Sequence, residues 1–185
     1  MSTLNIINDS SVDQYVDAIV NAANKHLLAG SGVCGAIFKK AGLEELTAAC
    51  QSHKLPLNDG DAVITPSFNI DNAKYIIHAV GPNFNITKDA FDKLFNAYYN
   101  SLLVLKSNNL HSISFPLISA GIFGGKLSNP VATSTEHCIK AYKLFKKSNP
   151  DYDIDVKLCA FTEKEYLSAL EVYNTLYEEE HKILR

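Results

Sequence analysis

Asp17-Ala18-Ile19-Val20-Asn21-Ala22-Ala23-Asn24 runs into Ala29-Gly30-Ser31-Gly32-Val33-Cys34-Gly35 and then into Ala36-Ile37-Phe38-Lys39-Lys40. Ala18–Val20 is apolar on both faces, which suits a strand covered by helices on either side. Asn21–Asn24 leads out of it, and a helix follows over Val33–Lys40. Between them, small residues let backbone N–H groups approach an anion closely, and the helix start beyond adds a partial positive charge. The same composition also describes an ordinary strand-to-helix turn, so the stretch needs support from elsewhere in the chain.

Outward from it, apolar runs and helical patterns alternate to both ends. Leu4–Ile7, Ala62–Thr65, Tyr75–Val80, Ile113–Ile118 and Val156–Phe161 read as further strands. Leu43–His53, Asp89–Ser107, Pro130–Lys147 and Lys164–Ile183 read as further helices. Asn129-Pro130 sets a capping side chain before a proline at the first helical position, and Thr162-x-x-Glu165 is a capping box. The expectation is one α/β domain over residues 1–185 with a partly parallel sheet. Ligands of such sheets bind beyond the carboxyl ends of the strands, where Gly and Asn cluster at 21–35, 81–85 and 121–125.

Composition narrows the function. The 185 residues are 46% hydrophobic and 20% charged, as expected of an ordinary globular protein. Lys+Arg 17 against Asp+Glu 20 gives a formal charge of -3, so no global field attracts nucleic acid, and RNA is not expected as the principal partner. No apolar run approaches the ~18–20 residues of a membrane span, and the start MSTLNIINDSS has no basic segment followed by an apolar run. A cytoplasmic monomer that does not engage membranes is the expectation. Cys34, Cys50, Cys138 and Cys159 are widely spaced, and His26, His53, His111, His137 and His181 form no ligand pattern, so neither metal nor cofactor is expected. Cys50, Cys138 and Cys159 read as core residues. Lys140, Lys143, Lys146 and Lys147 read as the solvated face of a helix, and Glu178–Glu180 as a solvated acidic stretch.

A second small-residue loop supplies the support. Ser119-Ala120-Gly121-Ile122-Phe123-Gly124-Gly125 follows Phe115-Pro116-Leu117-Ile118, and two such loops at strand ends could clamp one pyrophosphate, with Phe123 against a sugar face. His78-Ala79-Val80-Gly81-Pro82-Asn83-Phe84 ends a further strand; it either shapes the same rim or forms a rigid turn with His78 in the core.

These motifs together resemble the macro domain, in matching order and spacing over nearly the whole chain. The resemblance implies a three-layer α/β/α fold with a mixed, largely parallel sheet that binds ADP-ribose at the strand ends. Some members remove mono-ADP-ribose from proteins and others only bind it. Carried over by position, Asp9 accepts from the adenine amino group, although Asn8 stands where a glycine is usual, and Phe161 stacks on adenine as in the coronavirus members. Asn24 lies beside the distal ribose, with Asn21 supporting the same loop. Gly32, Val33 and Cys34 form one phosphate loop, and Ser119, Gly121, Ile122 and Phe123 the other. Ser10, Ala22, Gly30, Ser31 and Ala120 complete the expected substrate contacts. Asn24, Asn21 and Gly32 are the residues expected to carry catalysis.

The departures bear on activity. Cys34 stands where MacroD-type hydrolases have an aspartate that orients water, and Phe38 where histidine is common. Gly32-Val33-Cys34 with Phe38-Lys39-Lys40 is similar instead to alphavirus macro domains, and Ser119–Gly124 to coronavirus ones; both groups include hydrolases without that aspartate. The resemblance therefore implies a hydrolase acting on Asp/Glu esters of mono-ADP-ribosylated proteins. The alternatives are a non-catalytic reader of ADP-ribose or a deacetylase of O-acetyl-ADP-ribose. A nucleophilic Cys34 lacks a His or Asp at recognisable spacing, so its simpler role is a small neutral side chain against phosphate.

Overall fold

The computed structural model describes the backbone of residues 1–184 and the side chains of residues 1–176. Glu178–Glu180 and His181 lie outside the described side chains. The strands are β1 (Thr3–Ile7), β2 (Val16–Ala23), β3 (Ala62–Pro66), β4 (Ala73–Val80), β5 (Ser112–Phe115) and β6 (Asp155–Cys159). The α-helices are α1 (Gly32–Ala41), α2 (Leu43–Gln51), α3 (Ala90–Ser107), α4 (Pro130–Ser148) and α5 (Glu163–Leu184). One-turn 3₁₀ segments occur at Ser11–Asp13 and Ile122–Gly124.

The six strands form one sheet in the order β1-β6-β5-β2-β4-β3, parallel throughout except for the antiparallel β3–β4 pair. This is the mixed, largely parallel sheet of the expected fold. Alternation along β2 divides the core: Ala18 and Val20 face a cluster with α3 and α4, while Ile19 and Ala23 face one with α1 and α2. Both sides are dry. Tyr98, Phe115 and Phe145 are fully buried on the first, and Phe38, Ile37 and Leu46 on the second. Cys50, Cys138 and Cys159 are buried as expected. Burial pushes the Cys138 thiol up, as it does the Cys50 thiol to about 11, so both are neutral packing groups.

The capping signals act as read. Asn129 Oδ1 accepts from Ala132 N at 3.1 Å, and Thr162 and Glu165 exchange the two bonds of a capping box. Boundaries shift where backbone chemistry intervenes. β5 stops at Phe115 rather than Ile118, because Pro116 has no N–H to continue the ladder. β6 stops at Cys159, one further bond running from Ala160 N to Ile7 O, so Phe161 lies beyond the strand it was expected to close. β2 begins at Val16 and carries Asn21–Ala23 within its pairing to β4. The α4 lysines are only partly a free solvated face: Lys140 pairs with Glu136, Lys146 lies 5.2 Å from the Tyr142 ring centroid, and Lys143 donates to Leu176 O.

Candidate functional site

Because five strands run parallel, their carboxyl ends share one edge, and the sheet order sets the order of the loops along it. Asp9 follows β1, Phe161 follows β6, residues 116–125 follow β5, residues 24–31 follow β2, and residues 81–87 follow β4. A cleft of 160 Å³ lies along this edge and joins Asp9, Ser10, Val33, Ala120, Gly121 and Phe161, all expected site residues. Larger hollows of 330 and 480 Å³ border α4 and α5 and contain none of the expected site residues.

At the β1 end, Asp9 Oδ1 accepts from Ser10 N at 2.7 Å and Oδ2 from Gln14 Nε2 at 3.3 Å. A carboxylate has about four lone-pair sites, so acceptor capacity remains for an outside donor. Ser10 Oγ is engaged in accepting from Val12 N at 3.3 Å, which closes the Ser11–Asp13 turn. Phe161 is 73% exposed, an aromatic face left open at the cleft. Below them Cys159 is buried, and its thiol is pushed up to about 12 by burial and then by the Asp9 carboxylate. It forms a neutral floor.

The middle of the edge is backbone. Ser31 precedes α1 without a side-chain cap, and first-turn N–H groups have no intrahelical acceptor. Gly32 sits at φ 60, in the left-handed region, and a Cβ there would meet nothing within 4 Å. Gly121 likewise faces open space. The loop after β5 is braced from behind: Ile118 N donates to Tyr98 Oη at 3.0 Å, and Ser134 Oγ donates to Ile118 O at 2.6 Å. Ser119, at φ 60, donates to Pro82 O at 2.7 Å, so its hydroxyl ties two rims together instead of projecting into the cleft. Phe84 N donates to Phe123 O at 2.8 Å, a second tie between the same loops. Ile122 and Phe123 are exposed on the rim, outside the enclosed part.

Beyond β2, Asn24 Nδ2 donates to Leu28 O at 2.8 Å, and its Oδ1 accepts from Leu28 N at 3.0 Å. One N–H and one lone pair of the amide remain for a ligand. Asn21, expected with Asn24 among the catalytic residues, does not line the cleft. It is buried on the α1–α2 face, where Nδ2 donates to His78 Nδ1 at 3.1 Å. The His78 ring proton then lies on Nε2, 2.9 Å from Thr65 Oγ1. Asn21 pins β2 to β4 through that bond, and His78 takes the core alternative of its two readings. Cys34 is also turned away: its buried Sγ approaches Leu28 O at 3.6 Å, bracing the 24–31 loop from within. Gly30 and Ser31 are exposed in that loop, while Ala22 remains in the β2 ladder.

Glu165, Pro116, Leu117, Ser11 and Cys159 line the cleft without having been anticipated. Only Glu165 left a signal, since the capping box places it one turn after Phe161. Tyr98 and Ser134 gave none, because their partnership spans α3, α4 and the loop after β5.

Comparison with known proteins now places this geometry. The macro domain family model matches residues 20–133. An uncharacterized protein of Fusobacterium nucleatum is 40% identical over 164 residues, covering 88% of this chain and 89% of that one. A human ADP-ribose glycohydrolase is 39% identical over 153 residues, covering 82% of this chain but 34% of the human protein. Among solved structures, an Oceanobacillus iheyensis macrodomain with ADP has a TM-score of 0.85 at 34% identity, covering 96% of this chain and 93% of that one. A Trypanosoma brucei macrodomain in complex with ADP-ribose has a TM-score of 0.76 at 29% identity, covering 90% and 67% respectively. Sequence, fold and the composition of one sheet edge agree: the chain belongs to the macro domain family.

Proposed function

We propose that this protein binds ADP-ribose along the sheet edge and removes mono-ADP-ribose from proteins modified through an Asp or Glu ester. The observation that supports it is the order of chemistry along the sheet edge. A carboxylate with spare lone pairs and an open aromatic ring lie at one end, two backbone loops in the middle, and a half-engaged amide after β2. That order matches a base, a diphosphate and a ribose in one extended ligand. The names of the human and Trypanosoma relatives support the same ligand.

In the proposed reaction, the bond between the anomeric carbon of the distal ribose and the carboxylate oxygen breaks through an oxocarbenium-like state, and water adds to that carbon. The departing carboxylate is a good leaving group and needs no dedicated acid. With Cys34 buried against its own loop, the substrate phosphate held between Gly32–Val33 and Ala120–Gly121 orients or deprotonates the water. The remaining N–H and lone pair of Asn24 hold the ribose and the water.

The test is release of ADP-ribose from a protein mono-ADP-ribosylated on Asp/Glu, with Asn24→Ala and Gly32→Glu beside the parent. Loss of turnover in both variants is expected; turnover intact in Asn24→Ala sinks the positioning role. Cys34 in place of the aspartate of MacroD-type enzymes favours one other reading, a non-catalytic reader. Binding of ADP-ribose by the parent with no turnover is its signature.

A further inference from the structure

The sheet order has a consequence beyond the ligand itself. β4 lies outside β2, so the turn after β4 stands past Asn24 along the sheet edge. There the ribose would join the modified polypeptide. This turn is rigid: Ile86 N and Thr87 N both donate to Asn83 O, at 3.0 and 2.8 Å, while Asn83 Oδ1 accepts from Asn85 N at 3.0 Å. It nevertheless holds Ile86 83% exposed. Beside it, joined through Phe84 N–Phe123 O and Asn85 Nδ2–Ile122 O, the cleft loop holds Ile122 89% exposed. Asp59 closes the third side, accepting from Thr87 Oγ1 at 2.9 Å and pairing with Lys25, the residue after Asn24, at 3.6 Å. Exposed Lys88 and Lys126 stand on the same loops. Lys25, Lys88 and Lys126 stand against Asp59, Asp61 and Asp89, so the rim carries no net charge and its distinguishing feature is the exposed apolar pair.

We propose that the Ile86–Ile122 rim is a docking surface for the polypeptide part of the substrate, selecting modified segments that carry an apolar side chain next to the ADP-ribosylated carboxylate. The occupant follows from continuity with the cleft. An apolar pair held out by hydrogen-bonded loops, at the end where a macromolecular substituent would leave, buries apolar area only when a polypeptide is attached. This inference rests on the reading of the cleft as a site for protein-linked ADP-ribose.

The experiment titrates free ADP-ribose and two peptides bearing ADP-ribose through an uncleavable amide link, one with Leu flanks and one with Ser and Gly flanks. The parent and Ile86→Asp are compared. The parent should bind the Leu peptide about 10-fold more tightly than free ADP-ribose, the size expected from burying one aliphatic side chain. The Ser/Gly peptide should bind like ADP-ribose. Ile86→Asp should erase the difference while keeping ADP-ribose affinity within about twofold and the thermal midpoint unchanged. Equal binding of both peptides by the parent overturns the proposal, as does a variant that weakens ADP-ribose equally. So does a dimer in sedimentation that Ile86→Asp dissolves, since a second copy would then occupy the rim. Absence of ester turnover with the peptide preference intact defeats the hydrolase reading alone, whereas failure to bind ADP-ribose defeats both.

Discussion

His78 shows how one side chain supports a site it never touches. Its ring sits between Asn21 and Thr65 with no exposure to water, and burial, then the neighbouring His53, pulls its pKa down from 6.5 to about 3. The folded-state value lies below the unfolded one, so the unfolded chain takes up the proton first as pH falls. The contribution is fully present above pH 6.5 and is lost progressively as pH drops from 6.5 towards 3. The slope is ~1.4 kcal/mol per pH unit. Urea unfolding of the parent between pH 7 and pH 4 should show this loss on top of the carboxylate titrations, and His78→Gln should remove it. Parallel pH profiles for parent and variant would show that the ring is protonated in the fold. At pH 7, His78→Leu should cost about 2–3 kcal/mol, because it leaves the buried Asn21 and Thr65 groups unpaired.

Two glycines of the cleft loops differ in what they need, which separates folding from binding at the level of the element. Gly32 opens α1 at φ 60, so Gly32→Ala should lose about 1–2 kcal/mol of stability through the left-handed backbone. Gly121 has no positive φ and no neighbour within 4 Å of an added Cβ. Gly121→Val should therefore leave the thermal midpoint nearly unchanged while weakening ADP-ribose by more than about 10-fold, since the new side chain fills ligand space. A calorimetric titration beside a melt of each variant checks both statements. Retained affinity in Gly121→Val would remove this loop from the ligand's path. Asn129→Ala should cost about 1 kcal/mol through loss of the α4 cap, measured by urea unfolding. It should not alter affinity, because the α4 N-terminus borders another hollow.

Across the whole molecule, the proposed anion site has no global positive field behind it. Formal charge -3 and a cleft whose lining includes Asp9 and Glu165 but no lysine fit the proposed reading, in which short-range N–H groups hold the diphosphate. Raising NaCl from 50 to 300 mM should therefore change ADP-ribose affinity by less than about threefold, since short contacts are screened little. A fall of about 10-fold or more would point to lysines instead. The loops are kept in order by the sheet, whose two faces are each covered by a buried apolar cluster. Ile19→Ala, at a fully buried position of the central strand, should cost about 2–5 kcal/mol. Its measure is the urea midpoint.

Local chemistry made much of this legible before any tertiary contact. Apolar runs against helical periodicity located the six strands and five α-helices of the described residues, though not the two 3₁₀ turns, and Asn129-Pro130 and Thr162-x-x-Glu165 marked two helix starts through bonds that close within one turn. Glycine clusters after strands indicated where a ligand would lie, and Asp9, Ser10, Val33, Ala120, Gly121 and Phe161 do share one cleft. What depended on strand order stayed hidden. β1 and β6 pair through contacts 152 residues apart, and only that pairing carries Asp9 to Phe161. Which face of β2 a side chain takes decided that Asn21 joins His78 in the core, and the inward turn of Cys34 was decided by its approach to Leu28 O. The Tyr98–Ser134 brace and the Ile86–Ile122 rim come from elements distant in the chain. A residue pattern records its own periodicity and caps, but not the partner that folding brings against it.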